Sequence, residues 1–153
     1  MFRLWSILVV FVVLGLDQLT KAWIRSHLAP GESLFSVGVF RIDYVHNTGA
    51  AFGLFPGHSA LLTGVSIIGA AAFCIFIICA PRYPILRRRL SLFAMGLLLA
   101  GTLGNLIDRL LIGFVTDFID FTYWPAFNLA DAAITVGVVL FAMVFLTQPK
   151  TAQ

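Results

Sequence analysis

The stretch "LSLFAMGLLLAGTLGNLIDR", residues 90–109, is the part of the sequence that most strongly indicates the fold. From Leu90 to Ile107 it is apolar and nearly long enough for a helix that crosses a bilayer, which needs about 20 residues. Its glycines and alanines would let neighbouring helix backbones approach closely. The run ends in Asn105 and Asp108, so one end of this helix should be polar. The stretch therefore predicts a membrane-spanning helix within a compact bundle.

The composition of the whole chain is that of a membrane protein. Of 153 residues, 60% are hydrophobic and 11% are charged, and the mean hydropathy is +0.99. Soluble domains carry about 25% charged residues. Runs that approach the length of a span cover residues 4–19, 59–80, 90–107 and 127–146. We therefore expect a single integral membrane domain over residues 1–153, folded as an all-α four-helix bundle.

Several classes of function find little support in the sequence. The net charge is only +3, and no basic stripe with interleaved aromatics is present, so no nucleic-acid partner is predicted. Cys74 and Cys79 are five residues apart in one apolar run and would point in different directions on a helix. The three histidines lack the spacing of metal ligands. We therefore predict no metal site.

Arginines between the second and third runs give an orientation. The loop "PRYPILRRR", residues 81–89, holds four of them, and loops rich in Lys and Arg tend to stay in the cytoplasm. Both termini would then be cytoplasmic, and residues 21–58 and 109–126 extracytoplasmic. The first of these segments contains "LFSVGVFRIDYVHN", residues 34–47, with the alternation and β-branched residues of strands. We expect a small extracytoplasmic β-sheet element between helices 1 and 2.

Six of the seven acids are aspartates, and four of them fall at one depth of the predicted bundle. Asp17 lies at the outer end of the first span, Asp108 ends the third, Asp131 opens the fourth, and Asp117 lies on the connection between the last two. A carboxylate in apolar surroundings is costly unless it is paired or hydrogen-bonded. Ionisable groups in membrane segments are therefore candidates for function.

Structural roles would explain some of these acids without chemistry. Asp17 and Lys21 are four residues apart and could form an ion pair on a helix surface. Asn128 and Asp131 have the spacing of a capping box at a helix start. Both interpretations stay open at the level of sequence.

Two further alternatives concern the third span and the stretch after it. Asp108 could form an interfacial salt bridge with Arg109, while Asn105 and Asp108 would share one helix face. Of Asp117 and Asp120, nothing in the sequence decides which points inward. Independent surface charges would scatter to both ends of the bundle, so the gathering of acids and asparagines at one end still favours a shared function.

Five motifs together resemble one known family, the lipoprotein signal peptidases or type II signal peptidases of bacteria. They are "DQLTK" (17–21), "NTGAAF" (47–52), "GTLGNLIDR" (101–109), "VTDFIDF" (115–121) and "FNLADAAI" (127–134). The resemblance implies an aspartyl endopeptidase of the bacterial inner membrane, which cuts the signal peptide from a diacylglyceryl-modified prolipoprotein just before the lipidated cysteine. It also implies inhibition by globomycin-type cyclic peptides, and we expect a monomer in contact with membrane lipid.

The resemblance also implies roles for individual residues. Asp117 and Asp131 fall on the positions of the catalytic pair. The positions that bind substrate or support the site are those of Asn47, Asn105, Asp108, Arg109, Asn128, Asp17 and Lys21. We expect the segment that includes Gly49, Phe52, Gly53 and Phe55 to act as a mobile lid, because its glycines permit movement.

Paired carboxylates suit peptide hydrolysis without a cofactor. Two of them in close approach cannot both ionise readily, so one holds a proton while the other is charged. Asp131 should be the ionised one, since the first turn of a helix favours negative charge. The neighbouring residues Phe114, Val115, Phe118 and Phe121 would form walls for acyl chains and exclude water.

Two functions from other classes compete with the peptidase. A small proton-coupled transporter also uses aspartates in membrane spans, but its acids should be distributed through the depth of the bundle. A non-catalytic assembly factor would grip partner helices through small-residue faces and use the acids only for structure. Replacing Asp117 and Asp131 separates the peptidase from the assembly factor, because only the peptidase should lose turnover while its fold survives.

Overall fold

The computed structural model describes residues 2–49 and 58–147. Its helices are α1 (Phe2–His27), α2 (Ser59–Cys79), α3 (Arg89–Ile112) and α4 (Leu129–Leu146), and a short 3₁₀ helix, Ala80–Arg82, follows α2. All four α-helices contain stretches long and apolar enough to cross a membrane. The prediction of four helices of spanning length is confirmed.

Two of the helices extend beyond the apolar runs from which they were predicted. α1 continues past Leu19 to His27, and α3 continues past Ile107 to Ile112. Both extensions carry charged residues, which hydropathy alone assigns to the connecting segments. They stay helical because several of these charges pair inside the protein, as described below.

Helix α3 lies at the centre of the bundle and packs against each of the other three helices. In its most apolar window 72% of residues are buried, against 11–17% in the other helices. Small residues allow the close approach. A Cβ at Gly101 would lie 2.3 Å from the carbonyl oxygen of Ala130, so α3 and α4 contact one another almost backbone to backbone.

A four-stranded antiparallel sheet completes the fold. Its strands, in spatial order, are β1 (Ser33–Val37), β2 (Phe40–Asn47), β3 (Val115–Phe121) and β4 (Trp124–Phe127). β1 and β2 confirm the predicted sheet element between the first two helices. β3 and β4 correct that prediction, because the stretch between α3 and α4 was expected to be a connection. β3 is buried along most of its length and contains two acids, so it lacks the alternation that identifies a half-buried strand.

The sheet is fixed to the end of α1. Ile24 of α1 and Leu28, the first residue after α1, form a buried cluster with Tyr44 of β2 and Phe118 of β3. The two hairpin turns are joined by a hydrogen bond from the amide of Thr122 to the carbonyl of Val39, 2.9 Å long. Because β3 follows directly after α3, this arrangement holds the strand against the polar ends of the helices.

Candidate active site

Strand β3 carries Asp117 into the interior, where its side chain is 1% exposed. β2 pairs with β3, with Val45 opposite Asp117. Two asparagine amides donate to the carboxylate: Asn47 Nδ2 to Oδ2 at 2.8 Å and Asn128 Nδ2 to Oδ1 at 2.7 Å. Both oxygens of Asp117 are therefore held by neutral donors rather than by a cation.

Asp131 lies in the first turn of α4 as part of a capping box. Its amide donates to Asn128 Oδ1 at 3.0 Å, and its Oδ2 accepts from the amide of Asn128 at 3.3 Å. Its Oδ1 accepts from Asn105 Nδ2 at 2.7 Å. The capping-box interpretation is confirmed, and the same carboxylate also faces the site. The positive end of the helix dipole favours negative charge at this position.

Asn105 and Asn128 join the two carboxylates into one network. Asn128 Nδ2 contacts both Asp117 Oδ1 and Asn105 Oδ1, the latter at 3.1 Å, while Asn105 Nδ2 reaches Asp131. These bonds assign the amide orientations, because each oxygen faces a donor and each nitrogen an acceptor. Asp117 on β3 and Asp131 on α4 are thus linked through the side-chain amides of Asn128 and Asn105.

Lys21 is the cation at the centre of this network, and its side chain is fully buried. Its Nζ lies 3.0 Å from Asp17 Oδ2, 3.2 Å from Asp108 Oδ2 and 2.9 Å from Asn105 Oδ1. The ion pair considered between Asp17 and Lys21 is therefore present, but it is buried and does not lie on a helix surface. One ammonium group instead joins α1 to α3 and fixes the amide that binds Asp131.

Asp17 also helps to position the start of α4. Its Oδ1 accepts a hydrogen bond from the amide of Ala130 at 2.9 Å, so a side chain of α1 satisfies one of the free amides in the first turn of another helix. The contact needs a glycine on α3, because a Cβ at Gly104 would lie 2.5 Å from Asp17 Oδ2. Three helices are thereby fixed at one point beside Asp131.

Asp108 braces the strand that carries Asp117. Its Oδ2 accepts from the amide of Thr116 at 3.0 Å, and its Oδ1 lies 3.4 Å from Arg25 Nη1. Arg25 Nη1 also donates to Thr116 Oγ1 at 3.0 Å. Asp108 therefore pairs with Lys21 and Arg25 and not, as considered from the sequence, with Arg109.

Arg25 and Thr116 were not predicted as site residues, although the sequence contains a signal for Arg25. Asp17, Lys21 and Arg25 recur every four residues and so share one face of α1. A stripe of three charges on a membrane helix indicates a buried network more strongly than one pair does. Thr116 offered no comparable signal, because its contact depends on the register of β3.

Asp120 lies on the face of β3 opposite to that of Asp117, as their spacing of three residues requires. Its Oδ2 accepts from Arg41 Nε at 3.2 Å, and Arg41 also lies 3.2 Å from Asp43. The question left open by the sequence is thus settled: Asp117 joins the asparagine network, and Asp120 forms a cross-strand ion pair at the sheet surface.

Two adjoining cavities lie beside the carboxylates. The larger, of about 340 Å³, is lined by Asp131, Asn105 and Arg109 and by apolar residues of β4 and α4. The smaller, of about 270 Å³, is lined by Asp117. The residues that line both are Asn47, Pro125 and Ala126. Each carboxylate therefore borders a cavity, and the two cavities share one wall.

The apolar walls differ in part from those expected. Val115 does line the larger cavity, but Phe118 packs against α1 and Phe114 stacks on His46 with ring centroids 3.8 Å apart. Other apolar lining residues come from β4 and were not anticipated: Trp124, Pro125 and Phe127. They were missed because β4 itself was not predicted as a strand.

Arg109, which lines the larger cavity, contacts Gly49, which lines the smaller one. Arg109 Nη2 donates to the carbonyl of Gly49 at 3.2 Å, while among the described residues nothing accepts from its buried Nε. Phe52, Gly53 and Phe55 lie outside the described residues, so the proposed lid is represented only by Gly49. Its backbone is already tied to a cationic side chain of the site.

The pKa of Asp117 is raised to about 7. Burial is the largest cause, since it disfavours the charged carboxylate, and the negative charge of Asp131 adds to it. The hydrogen bonds from Asn47 and Asn128 and the charge of Lys21 act in the opposite direction. A carboxyl group of this pKa carries a proton in a large fraction of molecules near neutral pH, as an acid catalyst requires.

Comparison with known proteins agrees with this geometry. The family profile described as "Signal peptidase (SPase) II" matches residues 9–147. The lipoprotein signal peptidase of Moorella thermoacetica is 46% identical over 135 residues, which cover 88% of this chain and 87% of that protein. The lipoprotein signal peptidase of Dehalococcoides mccartyi is 42% identical over 131 residues, covering 86% and 82%.

A solved structure also resembles the fold. It is described as a bacterial membrane enzyme, has a TM-score of 0.84 at 33% identity, and the match covers 97% of this chain and 94% of that chain.

Proposed function

Since this chain belongs to the signal peptidase II family and is a bacterial membrane protease that removes signal peptides from prolipoproteins, we propose that Asp117 and Asp131 are its catalytic pair. One observation carries this assignment. Asn128 donates to Asp117 through its amide nitrogen and accepts from the backbone amide of Asp131 through its amide oxygen. The backbone amide of Asn128 also donates to the Asp131 carboxylate, so one residue binds both carboxyl groups at adjoining cavities.

The protonation states follow from the surroundings of each carboxyl group. Asp117 holds the proton at rest, because burial and the nearby negative charge raise its pKa. Asp131 is ionised at the N-terminus of α4, where the helix dipole and the amide of Asn105 favour a carboxylate. The two titrate as a coupled pair, so kinetics would report apparent pKa values of the pair.

Hydrolysis then proceeds by general acid–base chemistry. Asp131 takes a proton from water as the water oxygen bonds to the scissile carbonyl carbon, and Asp117 gives its proton to the carbonyl oxygen. Asp131 next passes its proton to the leaving nitrogen as the carbon–nitrogen bond breaks. A hydroxyl proton of the intermediate returns to Asp117, which restores the starting state.

The remaining polar residues position the substrate and the pair. Arg109 lines the cavity and has a buried Nε that can donate to a substrate carbonyl. Asn47, Asn105 and Asn128 hold the carboxyl groups, and Asp17, Lys21 and Asp108 fix the helices around them. The segment beginning at Gly49 and containing Phe52, Gly53 and Phe55 serves as a lid over the cleft.

We further propose the orientation predicted from the arginine-rich loop. The four arginines of residues 81–89 favour the cytoplasmic face of the inner membrane for that loop. Both termini are then cytoplasmic, and the sheet and the carboxylates lie at the extracytoplasmic face. A substrate whose signal peptide spans the membrane would present its cleavage site at that same level.

The substrate we propose carries a diacylglyceryl group on the cysteine that follows the scissile bond. The apolar walls of the larger cavity, formed by Trp124, Pro125 and Phe127, suit a lipid beside a peptide. Globomycin-type cyclic peptides would occupy the same cleft. Because one chain supplies both aspartates and the network around them, the working unit is a monomer.

The test is cleavage of a diacylglyceryl-modified precursor by purified variants. Asp117→Asn and Asp131→Asn should each lower turnover by about 10²–10⁴-fold, the range for loss of a general acid or base. Asp120→Asn is the matched control, since this acid lies on the same strand but pairs with Arg41, and it should keep nearly full turnover. Wild-type rates in folded Asp117→Asn would disprove the assignment.

A further inference from the structure

Four phenylalanine rings lie in a row across the sheet, one on each strand. They are Phe35 on β1, Phe40 on β2, Phe121 on β3 and Phe127 on β4. Neighbouring ring centroids are 6.4, 5.3 and 6.2 Å apart along this sequence. Such separations are typical of interacting aromatic pairs. We refer to these four residues as the aromatic row.

The aromatic row lies on the face of the sheet that carries Asp117. The register of β2 against β3 shifts once, between Ile42 and Val45, and the extra residue there belongs to β2. β3 therefore alternates without interruption from Asp117 through Ile119 to Phe121. Phe40 is directly opposite Phe121 and so shares this face.

One end of the aromatic row reaches the cavity of Asp131, and the other reaches the sheet edge. Phe127 lines that cavity together with Trp124, which pairs with Phe121 in the sheet. Phe121 is 37% exposed and Phe35 is 50% exposed, while Phe40 between them is partly buried. The aromatic row is therefore an apolar surface that is accessible at Phe121 and Phe35 and adjoins the cavity of Asp131.

We propose that the aromatic row binds the acyl chains of the substrate's diacylglyceryl group as they leave the cavity of Asp131. This inference rests on the proposed diacylglyceryl substrate. The lipidated cysteine adjoins the scissile bond, so its acyl chains begin beside the carboxylates. The aromatic row is an apolar surface continuous with that cavity. Its rings offer hydrocarbon contact and no hydrogen-bonding group, which suits an acyl chain better than a peptide.

Two precursors with one peptide and different lipids test the proposal. One carries dipalmitoylglyceryl, whose chains can extend along the aromatic row, and the other dibutyrylglyceryl, whose chains end inside the cavity. Phe121→Ser should raise KM for the long-chain precursor about fivefold, as expected for loss of one aromatic contact, and leave its kcat and the short-chain KM unchanged. Equal changes of KM for both precursors would overturn the proposal.

The control is Tyr123→Ser. Tyr123 is 90% exposed in the turn just after β3 and lies outside the aromatic row. It should leave both KM values unchanged, and a long-chain effect as large as that of Phe121→Ser would overturn the proposal. A Phe121→Ser variant that changes its oligomeric size while keeping the wild-type ratio of KM values would do the same.

A second measurement does not depend on Phe121. The chain has three tryptophans, so Trp5→Phe with Trp23→Phe leaves Trp124 as the only tryptophan, which can be excited selectively over the tyrosines, and Asp117→Asn prevents turnover. Adding a precursor with brominated acyl chains, in detergent without bromine, should quench Trp124 fluorescence. Unchanged fluorescence with bound precursor would overturn the proposal.

An error in the proposed substrate and an error in the role of the aromatic row give different results. If wild-type protein cleaves neither precursor, the proposed diacylglyceryl substrate is wrong, and the inference fails with it. If wild-type protein cleaves both and Phe121→Ser does not distinguish them, only the role of the aromatic row is wrong.

Discussion

The two halves of helix α3 are both buried but are held by different interactions. In the first half, Leu92, Met95 and Leu99 belong to an apolar cluster that includes Ala70 and Ile77 of α2. Four of the five buried residues in the second half are small or polar. There Gly101 and Gly104 admit neighbouring helices, while Asn105 and Asp108 bind the cation of Lys21.

The comparison shows what burial means in a bilayer. Lipid tails are as apolar as leucine, so the apolar half gains little from contacting protein rather than lipid beyond its packing. The charged and polar side chains of the polar half find no equivalent partners in lipid, because an unpaired charge in a bilayer is costly. The polar half should therefore be sensitive to sequence and pH, whereas the apolar half should tolerate exchange of similar side chains.

The largest effect should come from Lys21→Met, which removes the cation between Asp17 and Asp108. Breaking one partner of a buried ion pair costs about 3–5 kcal/mol, and unfolding in detergent followed by circular dichroism would measure it. Arg87→Met removes an exposed arginine near the other end of α3 and should change little. Equal stability of the two variants would show that the polar half does not depend on its cation.

A change of pH should affect the polar half next most strongly. The folded-state pKa of Asp117, about 7, exceeds its unfolded value of about 4. Its contribution to stability is therefore fully present below about pH 4 and is lost as pH rises through about 7, by up to about 4 kcal/mol. Asp117→Asn has no such group. The difference in unfolding free energy between wild type and variant should fall across this window, and a constant difference would contradict the expectation.

Close packing in the polar half should be tested by Gly101→Ala. The added Cβ would lie 2.3 Å from the carbonyl oxygen of Ala130, so α3 and α4 must separate, at a cost of about 1–3 kcal/mol. The matched control is Gly64→Ala on α2, where a Cβ meets nothing within 4 Å. Thermal unfolding of the pair in one detergent compares them directly. A Gly101 variant as stable as the Gly64 variant would mean that the helices separate at almost no cost.

The smallest effect should come from the apolar half. Met95→Leu keeps the volume and polarity of a fully buried side chain, so it should cost less than about 1.5 kcal/mol. The same unfolding assay applies, with turnover as a second measurement. A loss larger than that of Gly101→Ala would show that the apolar half is as specific as the polar half.

Much of the bundle could be predicted because bilayer length and helix chemistry act locally. The four spans follow from hydropathy, and the start of α4 follows from Asn128 and Asp131, which form the capping box expected at that spacing. The gathering of aspartates at one end also followed from position along each span. In these cases the relevant interaction lies within a few residues of its signal.

The parts that escaped prediction depend on contacts distant in sequence. β3 becomes a strand because it joins β2, about 70 residues earlier in the chain, and its burial removes the usual alternation. The roles of Asp117 and Asp120 follow from the direction of that strand. The burial of Lys21 did not follow from the sequence, because its partner Asp108 lies on another helix. Sequence spacing alone does not predict such pairings between distant residues.

The pairing of β2 with β3 has a consequence for biosynthesis. Phe40 of β2 pairs with Phe121 of β3. β3, which carries Asp117, therefore cannot pair with β2 until α2 and α3 have entered the bilayer. Asp131 lies ten residues beyond β3. Its position depends on the hydrogen bond from Asn105 and on the hydrogen bond that holds the amide of Ala130. On the proposed assignment of Asp117 and Asp131, a nascent chain would acquire hydrolytic capacity only as its last helix inserts, and truncated translation products would be inert in the membrane.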